Sequence, residues 1–360
     1  MNAFRALLRV VLWITGFWLL LMALSWALWK PVDVDAPLQL SLPDYLAPSP
    51  APLFVGQIQE AVFTLARHCP LPEKRRLIVL GASGSRAYDA ETLRRASSAD
   101  EAVNLSVVLS NVTQITQIFH DYRDCLGAEG LRDSAIVLIL SMGNFTSNEY
   151  RGSGPYSDYE TEKQRSRLFA GAPGAMQPRL PRPWMPAVVE LWRPVLLARK
   201  LAVEVKASLV ALGHRLRGRS PPRVEDLDRE WSLKLVASMQ PEVQRGDTYA
   251  PEQTAELEAL LDEIDSAGSP VVLVAQPVQR WFREASPSFA AAQARLQQLA
   301  RQRHLPLIDL TQSAADEEFH DAMHANRRGA MRWSERLAQA LLDLQAELPD
   351  ALGRVSMAQR

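Results

Sequence analysis

The chain has 360 residues, of which 47% are hydrophobic and 22% are charged, and its 40 Lys and Arg residues are balanced by 41 Asp and Glu residues. This composition excludes disordered, collagen-like and disulfide-dense proteins. The length allows one large domain or two ordinary ones, each with a full hydrophobic core. The net charge of −1 argues against a strongly basic binding protein only if charge is evenly spread along the chain.

The N-terminal region contains an uncharged apolar run at residues 10–29 (VVLWITGFWLLLMALSWALW). About 20 such residues span a bilayer as a helix. Arg5 and Arg9 precede the run and only Lys30 follows closely, so the positive-inside rule places residues 1–9 in the cytoplasm and the rest outside it. A cleaved signal peptide is the alternative, but its apolar region is usually about 7–15 residues long. The sequence thus predicts an uncleaved single-pass anchor in the inner membrane, with the remaining chain in the periplasm, where nucleic acid is excluded as a partner.

Two features follow the predicted anchor. Residues 31–52 contain six prolines, which favour extended chain, so residues 30–55 are predicted to be a stiff tether. The only cysteines are Cys69, before the first predicted strand, and Cys125, in the turn before a later one. In an oxidising compartment they can form a disulfide, and two free buried thiols are the alternative. No Cys and His spacing fits a metal site, so neither metal nor cofactor is predicted.

Short apolar runs alternate with helical patterns through the rest of the chain, and one helical stretch carries Ile115, Ile118 and Phe119 on one face. This alternation is typical of an α/β fold whose parallel sheet is covered on both faces. In such a fold the site lies at the carboxyl ends of the strands. The predicted strands are 77–80, 105–109, 135–140, 271–275 and 305–310, and further helices are predicted at 252–266, 288–303 and 329–348. The domain is predicted to comprise residues 56–150 and 251–348, followed by a tail at 349–360.

Residues 151–250 interrupt the alternation as a basic, helical insertion. Between Lys163 and Arg223 there are 13 Lys and Arg residues and only two acidic ones, a net charge of +11, so the rest of the chain carries −12. One interpretation is a helical cap with a solvated face. The other is a surface for anionic lipid headgroups, an acidic polysaccharide or a membrane partner.

Two segments carry candidate catalytic residues. The first strand ends in Gly81-Ala82-Ser83-Gly84-Ser85, where a serine in a glycine-flanked turn can point its hydroxyl into a cleft beside backbone N–H groups. After the last strand, Asp321 and His324 are three residues apart, so one short turn can bring both into the same cleft. The carboxylate would orient the imidazole, which would accept the proton of Ser83. The alternative is that Asp321 caps a helix and His324 lies on the surface.

This order of elements and motifs resembles the SGNH/GDSL hydrolase superfamily over residues 75–145 and 255–345. The resemblance implies a three-layer, flavodoxin-like SGNH sandwich around a parallel sheet. It also implies a triad with Ser83 as nucleophile, His324 as base and Asp321 as orienter, and Ser85 is the alternative nucleophile. The superfamily's usual Gly-Asp-Ser motif has Ala82 in place of the Asp.

The resemblance also implies an oxyanion hole built from the Ser83 N–H and from groups after the second and third strands. Here these groups are Ser110, where the superfamily usually has Gly, and Asn144. Asn144 as a plain turn residue is the alternative. Asn104, Asn111 and Asn144 also fit the glycosylation pattern N-x-[ST], but their position beside the predicted cleft argues against that interpretation.

Together, the anchor, the SGNH-like domain and the basic insertion resemble the anchored SGNH-like proteins of bacterial envelope O-acylation, those of alginate acetylation and teichoic-acid D-alanylation. The resemblance implies an O-acyltransferase that receives an acyl group on Ser83 and passes it to an envelope polysaccharide, with a membrane-bound O-acyltransferase as partner. A periplasmic carbohydrate esterase or deacetylase and a non-catalytic, glycan-binding accessory protein are the alternatives.

Overall fold

A computed structural model describes the N-terminal helix, most of the α/β domain and parts of the insertion. The described residues are 2–28, 65, 74–97, 99–107, 110–147, 163, 168–171, 177–188, 190–191, 194–195, 198, 209, 212–213, 216–218, 251–285, 287–319 and 322–347. The predicted tether and the C-terminal tail lie outside them.

The described residues include seven strands and seven helices with defined bounds. The strands are β1 (Arg76–Gly81), β2 (Glu101–Asn104), β3 (Ser134–Leu140), β4 (Phe169–Ala170), β5 (Gln177–Pro178), β6 (Val271–Ala275) and β7 (Leu307–Asp309). The helices are α1 (Asn2–Leu28), α2 (Ala90–Ala96), α3 (Val112–Arg132), α4 (Pro251–Ser266), α5 (Arg280–Ala285), α6 (Pro287–Gln302) and α7 (Arg327–Glu347).

The central sheet has five parallel strands in the order β2-β1-β3-β6-β7. Apart from the β4–β5 hairpin, this is the flavodoxin-like order, and the predicted α/β fold with a central parallel sheet is confirmed. The second strand was wrongly placed at 105–109, because residues 101–104 pair with Arg76–Val79. The chain after β2 still bonds to β1, with Leu105 N donating to Val79 O at 2.9 Å.

Helices cover both faces of the sheet. Ile78, Leu80 and Leu138 point to one face and pack with α3, α4 and α6, whereas Leu77 and Val79 point to the other and pack with α2 and α7. Successive side chains of a strand face opposite sides, so a sheet covered twice needs continuous apolar strands. This is why β1 and β6 are buried along their whole length.

Several described residues of the insertion pack against the α3 side of the sheet. Leu168, Phe169 and Met185 are buried in the hydrophobic core on that side. Lys163 is also buried, and its Nζ lies 2.6 Å from Asp121 Oδ2 on α3. One of the insertion's basic residues therefore has a structural role.

Two further predictions concern α1 and the cysteines. α1 contains a span, Leu8–Ser25, that is long and apolar enough to cross a membrane, a property that membrane anchors and signal sequences share. Cys125 is disulfide-bonded. It lies within α3, two residues before a break at Gly127 (φ +71°), and not in a turn. Cys69, the other cysteine of the sequence, lies outside the described residues.

Candidate active site

The first strand ends in a tight turn that carries Ser83. Gly81 closes β1, and a 3-10 turn runs from Ser83 to Ala87. A Cβ on Gly81 would lie 2.1 Å from Ser85 Oγ and 2.6 Å from the carbonyl oxygen of Ile139, so no larger residue fits. The turn therefore folds back over the edge of the sheet because β1 ends in glycine.

The two serines of this turn have different environments. Ser85 is fully buried, and its hydroxyl donates to the carbonyl oxygen of Ile139 on β3 at 3.4 Å. It is directed into the sheet, so the structure contradicts Ser85 as the alternative nucleophile. Ser83 is half-buried and points the other way, toward the loop before α7.

Ser83 meets His324 across the edge of the sheet. Ser83 Oγ lies 2.7 Å from His324 Nε2, although 241 residues separate the two in sequence. When Nε2 carries no proton, the hydroxyl donates and the imidazole accepts. This geometry can remove the hydroxyl proton as the oxygen attacks a carbonyl carbon. Asp321 lies outside the described residues.

The loop that carries His324 is tied at its base. Phe319 and Ala325 form an antiparallel bridge. Asn326 Nδ2 donates to the carbonyl oxygens of Glu317 at 2.7 Å and Phe319 at 3.3 Å, and its Oδ1 accepts from Gly329 N at 2.9 Å. Because Asn326 also caps the start of α7 in this way, the loop and the helix are positioned together.

A buried carboxylate holds this loop on α7. The side chain of Glu318 has no exposed surface and accepts hydrogen bonds from Arg336 (2.6 and 2.8 Å), Arg332 (3.0 Å) and Trp333 Nε1 (3.2 Å). Burial tends to raise the pKa of Glu318, but the hydrogen bonds and charges of Arg336 and Arg332 outweigh it and keep the pKa below its ordinary value. Glu318 is therefore ionised near neutral pH.

The residues proposed for the oxyanion hole are linked to each other. Asn144 Nδ2 donates to the carbonyl oxygen of Ser110 at 2.9 Å, and Asn144 Oδ1 accepts from Ser141 N at 2.7 Å. Both Ser110 and Asn144 are buried. Ser110 Oγ has no hydrogen-bond partner within the described part of the chain. The structure thus pairs Ser110, which follows β2, with Asn144, which follows β3 on the other side of β1. Their role toward a substrate stays a prediction.

The structure shows a role for Asn104 that the sequence pattern did not reveal. Its buried Nδ2 donates to the carbonyl oxygens of Ser85 at 2.9 Å and Tyr88 at 3.0 Å, so the end of β2 holds the turn that carries Ser83. Asn111 and Asn144 are buried and hydrogen-bonded as well. The N-x-[ST] pattern at these sites therefore does not reflect accessible glycosylation sites.

A small cleft adjoins the Ser83 turn. It lies between the end of β3 and α6 and has room for about one water molecule, within about 260 Å³ of empty space that includes open solvent. It is lined by Leu140, Met142, Gln276, Phe289, Ala292 and Leu296 among others. Gln276 separates it from the turn, because a Cβ on Gly84 would lie 2.4 Å from Gln276 Oε1. Among the described residues, no group of three or more His, Cys, Asp or Glu side chains is arranged to hold a metal ion.

The chain was compared with family models, curated proteins and solved structures. No protein-family model matches the chain, and no curated protein matches it. Two solved structures are similar to it, each at 11% identity and over 79% of this chain. One is a candidate acylhydrolase from Bacteroides fragilis (TM-score 0.39, 93% of that chain covered). The other is a GDSL-like lipase from Bacteroides thetaiotaomicron (TM-score 0.36, 95% covered). Both scores are below 0.5, so the functional argument stands on the geometry of Ser83 and His324.

Proposed function

We propose that this protein is a membrane-anchored, SGNH-type enzyme that transfers an acyl group through Ser83 to a hydroxyl of an envelope polysaccharide. The main support for a serine nucleophile is the 2.7 Å contact between Ser83 Oγ and His324 Nε2 at the carboxyl edge of a parallel sheet. That edge is where α/β proteins of this topology bind their ligands.

The first half of the reaction forms an acyl-enzyme. Ser83 Oγ attacks the carbonyl carbon of the acyl donor while His324 Nε2 takes the hydroxyl proton. The tetrahedral intermediate collapses, the bond to the leaving group breaks, and His324 returns the proton to that group. Asp321 is proposed to orient the imidazole and stabilise its charged form.

The oxyanion of the intermediate needs preorganised donors. The proposed donors are the backbone N–H groups of Ser83 and Ser110 and the side-chain amide of Asn144. Asn144 Nδ2 uses one N–H on the Ser110 carbonyl oxygen and carries a second one. A single such donor contributes about a hundredfold to a thousandfold in rate.

The second half of the reaction transfers the acyl group. His324 takes the proton of a sugar hydroxyl, the sugar oxygen attacks the acyl carbon, and Ser83 leaves with the proton. Water in place of the sugar makes the same site an esterase, so exclusion of water decides between the two outcomes. The transferase assignment is supported by the span in α1, by the basic insertion and by the resemblance to envelope O-acylation proteins. We also propose that the domain lies in the periplasm and that its partner is a membrane-bound O-acyltransferase.

The nucleophile can be identified by covalent labelling. A fluorophosphonate should modify the wild-type full-length chain at Ser83, and peptide mass mapping should place the adduct there and not on Ser85. Ser83→Ala should abolish labelling, and His324→Ala should slow it at least a hundredfold. His120→Ala is the matched control, because His120 is a surface histidine paired with Glu263 and should label at the wild-type rate. A folded wild-type chain that takes no label would favour the non-catalytic, glycan-binding alternative.

A second experiment separates transferase from esterase. The purified chain is incubated with an activated acyl ester, with and without an envelope polysaccharide fraction. A transferase yields acylated polysaccharide that depends on Ser83. Ester hydrolysis that is unchanged by polysaccharide, with no acylated product, would contradict the transferase assignment and favour the esterase.

A further inference from the structure

The insertion exposes large apolar side chains that the core does not use. Trp184 ends the 3-10 turn Arg182–Trp184 and is 64% exposed. In the helical residues that follow it, Met185 is buried, whereas Leu191 (54% exposed) faces solvent. Trp184, Ala187 and Leu191 recur at i, i+3 and i+7, which places them on one side of a helix. The segment therefore has two apolar faces. One packs on the domain, and the other is exposed to solvent.

A second exposed stripe lies further along the insertion. Leu209, Leu212 and Leu216 have the same i, i+3, i+7 spacing. Each of the three is itself helical and exposed, Leu216 by 80%. Isolated exposed leucines are ordinary, but repeated ones on a helix face mark an interaction surface.

The charge around these stripes is strongly positive. The net charge of residues 163–223 is +11. One of the described basic residues in this range, Lys163, is buried against Asp121. Arg217 is exposed directly beside Leu216 of the second stripe, and Arg179 and Leu180, both exposed, precede the first stripe in sequence. Apolar residues flanked by exposed arginines are the composition of helices that lie in the interface of an anionic bilayer.

We propose that the two stripes dock the domain on the anionic surface of the membrane that α1 spans. This proposal rests on the proposed anchoring by α1. The leucines and Trp184 would enter the headgroup boundary while the arginines contact lipid phosphates, and tryptophan is a side chain enriched at that boundary. Anchoring favours this occupant, because α1 keeps the domain within reach of the bilayer, at a distance set by the predicted tether 30–55, and so raises the effective concentration of its surface.

The test uses the full-length chain in lipid nanodiscs, either of phosphatidylcholine alone or of phosphatidylcholine mixed with phosphatidylglycerol. A cysteine is introduced by Leu216→Cys and labelled with an environment-sensitive fluorophore, and the unmodified chain serves as the labelling blank. Met331→Cys on α7, at another exposed apolar position (64% against 80% for Leu216), is the control. The readouts are the emission wavelength and the quenching by spin-labelled lipid.

The expected result is a blue-shifted, lipid-quenched label at position 216 in anionic discs, and an unshifted label at position 331. Arg217→Gln should lower the ratio of docked to undocked protein about fivefold, the effect of one basic residue at an anionic surface. A label at 216 that behaves like the one at 331, or equally in both lipids, would overturn the proposal. A blue shift at position 216 that arises only with added polysaccharide or a membrane-protein extract would also overturn it.

The experiment distinguishes a failure of anchoring from a failure of docking. If α1 were a cleaved signal sequence, the protein isolated from cells would lack it by intact mass and would not incorporate into discs. An incorporated chain with an unshifted label would instead contradict docking alone.

Discussion

Replacement of Glu318 by Gln tests how the His324 loop is held. The variant keeps an oxygen for Trp333 Nε1 but removes the negative charge that Arg336 and Arg332 contact through three hydrogen bonds. Loss of one partner of a fully buried ion pair costs about 3–5 kcal/mol. The arginine side chains here are about one third exposed and can bind water in the variant. We therefore expect the free energy of unfolding to fall by about 2 kcal/mol, the contribution of a hydrogen bond to a charged group.

The same contact makes stability depend on pH. Because the arginines hold the pKa of Glu318 below its ordinary value, the unfolded chain binds this proton more readily than the folded one. The contribution of Glu318 is therefore complete above the ordinary glutamate pKa of about 4.3 and is lost as the pH falls through the lower pKa of the folded state. The difference between wild type and Glu318→Gln should be constant near neutral pH and should shrink below about pH 4.

The assay is urea unfolding of the full-length chain in detergent, followed by circular dichroism at several pH values. Glu284→Gln is the control, because Glu284 forms an exposed pair with Arg280 one helical turn away, and no measurable change is expected. If Glu318→Gln unfolds at the wild-type urea concentration, or if its deficit does not shrink in acid, the ion cluster does not secure this loop.

Three further substitutions probe the supports of the site and of the insertion. In Gly329→Ala the new Cβ would lie 1.9 Å from the carbonyl oxygen of Glu318, so the loop must shift; fluorophosphonate labelling should slow and stability should fall by about 1–3 kcal/mol in urea unfolding. Asn104→Ala removes two donors that hold the serine turn and should lower the labelling rate more than it lowers the thermal midpoint. Lys163→Met leaves Asp121 without its buried cation and should destabilise the chain more than the double variant Lys163→Met/Asp121→Leu does, as a double-mutant cycle would measure.

The strands and helices were predictable where burial dictates composition. β6 was predicted at 271–275 and lies there, and α4 and α6 begin within one residue of their predicted starts. The second strand was predicted at the more apolar stretch 105–109, whereas β2 is 101–104. Residues 105 and 107 also hydrogen-bond to β1, so both stretches lie beside that strand. Apolar runs indicate burial, but the pairing register depends on the neighbouring strand.

For the site, the sequence by itself determined the chemical groups and their place in the chain: a serine in a glycine-flanked turn after β1 and a histidine before α7. The alternation of apolar strands with helices was sufficient to expect both at one sheet edge. The tertiary structure alone decided which serine is available, because Ser85 is buried under the sheet edge while Ser83 faces His324. It also decided the roles of Asn104 and Glu318. Their partners are distant in sequence or lie on another element, so the local sequence pattern does not indicate these contacts.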